Sequence, residues 1–201
     1  SLRRPDACTL AHMPHVDAFP LPPSARVTVP RTGTRAFGAP RDGHTHAGVD
    51  LFAARGTPVL SPVDGTIVAT LDDARRACGF GAVIRSTDGY LWTLCHLGAV
   101  PVVERGDHVE AGDVLGVVGT TGNASASGPH LHIQATTLDR VPVDSTDALA
   151  DALVRERGGS TMQRRTSAVT TTADTRSDRE RASGIGPLVL AGLALYAMTR
   201  R

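Results

Sequence analysis

Between residues 36 and 144 short apolar runs alternate with Gly, Asp and Pro. The runs fall at 57–60, 65–70, 82–85, 90–94, 114–118 and 130–135. Turn sequences separate them, among them Pro62-Val63-Asp64-Gly65, Thr87-Asp88-Gly89 and Arg105-Gly106-Asp107. Closely spaced short strands with such turns predict a mainly β fold, an antiparallel sandwich or a barrel. No helical period appears in this stretch. Residues 145–157 then read as one short helix. Ser145 or Thr146 can cap it, Leu149, Ala152 and Leu153 share a face, and Arg155 and Arg157 suit its C-terminal end.

The flanks carry a different pattern. Residues 1–35 are rich in Pro and Arg without periodicity and predict an extended arm, with Val27 and Val29 as points where it would lie on the domain. The domain itself is expected over 36–157. Residues 158–183 are Gly, Ser, Thr, Arg and Asp with almost no apolar content, the composition of a flexible linker. Residues 182–198 are uncharged, and 184–199 are expected to form a C-terminal apolar helix that anchors the chain in a membrane. Such a helix would span about 25 Å, at the short limit for a bilayer.

Composition narrows the chemistry. The 201 residues carry a formal net charge of +1, which argues against nucleic acid as a partner. Aromatics make up 3%, so the core must be built from Val, Leu, Ile and Ala. Every basic side chain is Arg. Without a lysine there is no Schiff base and no lysine-borne cofactor. This excludes a biotinyl or lipoyl carrier, despite carrier-like runs around 56–68 and 106–116. Cys8, Cys78 and Cys95 have no metal-binding spacing. Cys78 and Cys95 flank a predicted hairpin, either as a disulfide or as two buried thiols. The N-terminal residues lack the apolar core of a secretory signal.

Three histidine groups stand out: His46-Ala47-Gly48-Val49-Asp50, Leu94-Cys95-His96-Leu97, and Gly128-Pro129-His130-Leu131-His132. In a strand, His130 and His132 point to one face, roughly 6.5–7 Å apart. One imidazole can then bind a metal while the other reaches a metal-bound water. His46 and Asp50 share parity but lie too far apart in a straight strand to share an ion, and a bend at Gly48 would bring both in. Two imidazoles, one carboxylate and an open position make a catalytic rather than a structural zinc site. His44-Thr45-His46 is a second H-x-H, and only His46 has the spacing to Asp50. His12, His15 and His108 read as ordinary surface or packed residues.

The order of these groups and their flanks resembles the lysostaphin-type, LytM-like zinc metallopeptidases, from about Phe37 to Asp144. The shared elements are Phe37-Gly38, H-A-G-V-D-L with G-T-P-V, D-G-T-I-V, C-H-L, the run G-D-H-V-E-A-G-D-V-L-G-V-V-G-T-T-G-N, and G-P-H-L-H. The resemblance implies one Zn²⁺ held by His46, Asp50 and His132. It implies His96 and His130 as the catalytic residues that act on the water and the transition state, and peptidoglycan peptides as substrate. Leu94 stands where the family usually has Tyr. The 71–77 stretch is insertion-like, and Ser125–Ser127 reads as a rim loop. The alternative is a catalytically inactive peptidoglycan-binding or activator module, but the ligand set is complete. The expected placement is membrane-anchored and facing peptidoglycan, on a phage virion membrane or in a bacterial cell envelope.

Overall fold

Alternation of apolar and polar residues sets the sheet. In a computed structural model of the chain, residues 13–169 are described, with side chains through Gly158. Eleven strands form: β1 Pro40–Arg41, β2 His44–Thr45, β3 Val49–Phe52, β4 Pro58–Leu60, β5 Gly65–Leu71, β6 Phe80–Ser86, β7 Leu91–Leu97, β8 His108–Val109, β9 Val114–Val117, β10 His130–Thr136 and β11 Pro142–Val143. The expected mainly β, antiparallel architecture is present. It takes the form of one open seven-stranded sheet, in the order β11-β10-β7-β6-β5-β8 with β3 also on β10. Two ribbons, β1-β2 and β4-β9, complete it.

One face of the sheet is the core. Val49, Leu51, Trp92, Leu94, Leu131, Ile133 and Ala135 alternate along β3, β7 and β10 and are fully buried there. Asp50, Phe52, His130 and His132 are the intervening residues and share the other face. Removing the core side chains from water is the main stabilising term, on the order of 2 kcal/mol for each large one.

The helix α1, Thr146–Val169, packs Leu149, Ala152 and Leu153 on this core. Its first turn is capped by the Asp144 carboxylate, which accepts from the Thr146 amide at 2.9 Å, rather than by Ser145 or Thr146 side chains. The helix also runs past residue 157, so 158–169 are helical where a linker was expected. No proline interrupts that stretch, and extending a formed helix is far easier than nucleating one.

Residues 13–35 are stitched to the domain. Val16, Phe19, Leu21 and Val27 join the core. The Leu60 amide donates to the Pro20 carbonyl at 2.9 Å, and the Phe19 amide to Glu156 at 2.7 Å. Arg155 and Arg157 donate to the Val16 and Val27 carbonyls, and Arg31 pairs with Asp147. The apolar segment 184–199 lies outside the described residues. Among the described residues no helix is long and apolar enough to cross a membrane.

Candidate active site

Strand register assembles the first half of the site. Opposite residues in an antiparallel pair point to the same face. His132 lies opposite Asp50 on β3 and opposite Cys95 on β7, and His130 lies opposite Phe52. His46 sits just before β3. There Gly48 lets the chain pass the His132 ring: a Cβ at Gly48 would fall 2.4 Å from the Ile133 carbonyl oxygen and 2.8 Å from the ring. The chain bends at Gly48, as expected, and the glycine is needed there for close approach, its φ being ordinary.

The result is a tight cluster. Asp50 Oδ1 lies 3.1 Å from His46 Nε2 and 2.9 Å from His132 Nδ1, and the two nitrogens are 3.1 Å apart. His46 and Asp50 are buried and His132 half-buried. The His46 Nδ1–H donates to the Ala36 carbonyl at 2.8 Å, which leaves Nε2 as a lone pair turned toward the carboxylate oxygen. Acceptor atoms brought together in this way call for a cation. The donor set, two imidazoles and one carboxylate, is that of catalytic zinc, and their spacing is close to that of atoms each about 2 Å from one ion. These residues fit zinc.

Sequence reasoning missed the partners of Asp50. Its second oxygen accepts from Arg41 Nη2 at 3.1 Å, a contact made by the β1-β2 hairpin. Its amide donates to the Arg35 carbonyl at 3.0 Å. Burial alone would raise the Asp50 pKa, but the His132 and His46 rings against its Oδ1 outweigh that and hold the carboxylate well below its usual range. His44, the rival to His46, is exposed and turns Nδ1 to the Asp42 carbonyl, 3.0 Å away. His15 pairs with Asp17 on the surface, and His108 is exposed on β8.

His96 reaches the site by an irregular route. Strict alternation after Leu94 and Cys95 would send it into the core. Instead β7 carries an extra residue against β6: Ala82 pairs with Leu94 and Phe80 with Leu97. His96 takes a left-handed φ of 66° in this bulge. Its ring therefore meets those of His130 and His132, with centroids 4.8 and 5.9 Å away, while Leu97 returns to the core. His96 Nδ1–H donates to the Thr121 carbonyl at 2.9 Å, and His130 Nδ1–H to the Gly128 carbonyl at 2.8 Å. Both histidines thus keep Nε2 for chemistry, and His130 Nε2 lies 3.8 Å from Asp50 Oδ1. Burial, then the charge that His130 and His132 can carry, lowers the His96 pKa from 6.5 to about 4.

The insertion-like loop supports this bulge. Cys78 and Cys95 are bridged, tying residues 72–79 to the residue before His96. The His96 amide donates to the Cys78 carbonyl, and the Gly122 and Asn123 amides to Ala74 and Ala77. Gly79, at a φ of 65°, lies so close to Thr121 that a Cβ would fall 2.3 Å from its hydroxyl. Ser125–Ser127 end a short 3-10 turn, Gly122–Ala126, and are exposed.

Known proteins share parts of this sequence and fold. The sequence pattern of Peptidase family M23 matches residues 44–145. The chain is 38% identical over 90 residues to the DD-carboxypeptidase/endopeptidase Mpg of Neisseria meningitidis, covering 45% of this chain and 20% of that protein. It thus spans about a fifth of that relative's length. Lysostaphin of Staphylococcus simulans superposes with a TM-score of 0.55 at 26% identity, over 70% of this chain and 56% of that one. A zinc-containing peptidase from Vibrio cholerae superposes with a TM-score of 0.52 at 26% identity, over 67% of this chain and 40% of that one.

Proposed function

Because this chain belongs to peptidase family M23, we propose that it is a zinc-dependent endopeptidase that hydrolyses peptide bonds of bacterial peptidoglycan. The observation that carries this reading is the convergence of the three acceptor atoms of His46, Asp50 and His132 beside two histidines with free Nε2 atoms. His46, Asp50 and His132 hold the metal. Zinc, when bound, supplies a Lewis acid that acidifies a water and polarises the scissile carbonyl.

The remaining work falls to the chain's own side chains. Arg41 and the Arg35 carbonyl keep the Asp50 carboxylate oriented, and the Ala36 carbonyl fixes the His46 tautomer. His130, stacked on Phe52 with centroids 4.9 Å apart, accepts a proton at Nε2 from the attacking water. The proton that His130 takes from the water is the one delivered to the leaving amine, and His96, protonated from solvent as negative charge develops beside it, donates from Nε2 to the oxyanion. Placement belongs to the same proposal. The uncharged run at 184–199 supports a membrane tether that holds the peptidase facing peptidoglycan, on a phage virion membrane or in a bacterial envelope.

The test uses the full chain, with zinc content and release of peptides from purified peptidoglycan as readouts. One zinc per chain is expected, lost in His132→Ala and kept in His130→Ala, with both variants at least about a hundredfold less active. A folded wild-type chain that binds no zinc and releases nothing would replace this reading with that of a binding module.

A further inference from the structure

A second feature borders the site. A shallow cleft of about 100 Å³ lies between the 26–35 segment and β3 and is lined by Arg26, Thr28, Arg35, Asp50 and Phe52. It borders the cluster described above, because Asp50 lines both and Phe52 stacks on His130. The Arg35 guanidinium lies 3.9 Å from the Phe52 ring centroid. Among the described residues neither Arg26 nor Arg35 has an acidic partner, unlike Arg31, Arg41 and Arg76. Asp50, the one acid in the lining, is already engaged by His46, His132 and Arg41.

The wall that carries these arginines is held in place. Val27, next to Arg26, is buried, and its carbonyl accepts from Arg157. The Arg35 carbonyl accepts the Asp50 amide. Arg26 takes a left-handed φ of 50°, at the end of the 3-10 turn Pro23–Ala25. Two exposed arginines thus line a cleft that reaches Asp50. Guanidinium recognises carboxylate through paired, charge-assisted hydrogen bonds, and the half-buried Phe52 offers apolar surface to the carbon chain beside it.

We propose that this cleft is a substrate subsite in which Arg26 and Arg35 hold a free carboxylate of the peptide, so that the enzyme selects acidic stem peptides over neutral ones. The proposal rests on the peptidoglycan reading above. It makes the N-terminal segment a wall of the substrate cleft rather than a cover over it.

The test is calorimetric titration of the zinc-free full chain, which binds without cutting. The probes are the tetrapeptide L-Ala-γ-D-Glu-meso-diaminopimelyl-D-Ala and the same peptide with its carboxylates amidated. The acidic peptide is expected to bind about tenfold tighter, a preference that shrinks with added salt. The Arg26→Gln/Arg35→Gln variant is expected to lose that preference while still taking up one zinc. Equal affinity of the wild type for the two peptides, or a preference that survives in the double variant, overturns the subsite. Digestion of peptidoglycan by the zinc-loaded wild type separates the two claims. Digestion without discrimination removes the subsite alone, whereas neither digestion nor binding removes both.

Discussion

The two halves of the site are built by different means. His46, Asp50 and His132 stand on regular antiparallel register, and the only special requirement is the absence of a side chain at Gly48. His96 stands on a bulge, held by a disulfide-tied loop and by Thr121. A regular sheet positions groups through many shared hydrogen bonds, so its geometry is hard to disturb locally. A bulge aims one side chain where alternation would not, but depends on a few outside contacts to keep it there. The metal-binding half should therefore respond to changes as metal loss. The proton-transfer half should respond as loss of turnover with the metal retained.

The largest effect expected is from Gly48→Ala. The added methyl meets backbone oxygen and the His132 ring, so β3 and β10 must separate. Destabilisation of about 3 kcal/mol is expected by chemical denaturation, with zinc affinity lowered by more than about a hundredfold, since even outer partners of ligands are worth tenfold to a hundredfold. Normal zinc uptake in this variant would contradict the register argument.

Next comes Cys78→Ser. Opening a bridge between residues 17 apart should cost about 3 kcal/mol. It should also lower kcat about tenfold by loosening His96, proposed above as a proton-transfer group whose outright removal costs considerably more. Zinc content should stay at one per chain. Loss of zinc here would mean that the two halves are not independent.

Arg41→Gln sharpens the metal side. Asp50 Oδ2 loses its charged partner, and zinc affinity should fall about tenfold, read by competition with a chelator. Fold stability should change little, because Arg41 is partly exposed.

The smallest effect concerns pH. In the zinc-free fold His96 has its pKa lowered from 6.5 to about 4, so between these values the unfolded chain binds more protons than the folded one. The stability due to neutral His96 is thus fully present above pH 6.5 and is lost as the pH falls toward 4. Denaturation of the zinc-free chain across this range should show a steeper decline for the wild type than for His96→Gln. Parallel curves would mean that burial does not hold His96 neutral.

Much of this could be read along the chain. Short apolar runs between turn sequences located six strands of the domain to within a few residues, because buried strands need apolar side chains and the turns that join them need Gly, Asp or Pro. The period of two along a strand placed His130 and His132 on one face. The three groups of histidine and aspartate were visible as spaced motifs, since ligand chemistry restricts residue type. The end of α1 was not legible, because the composition of 158–169 suits a linker as well as a helix extension.

What the sequence by itself determined is therefore the β architecture, the helix face of Leu149, Ala152 and Leu153, and the candidate ligands with their chemistry. These depend on local periodicity and on side-chain type, both of which are written residue by residue. Only the tertiary structure decided that His96 turns toward the site, that Cys78 and Cys95 are joined beside it, and that Arg41 braces Asp50. It alone brought Arg26 and Arg35 to the edge of the same cleft. Those outcomes depend on where separate segments meet, and no local pattern records which carbonyl, ring or carboxylate a distant residue will face.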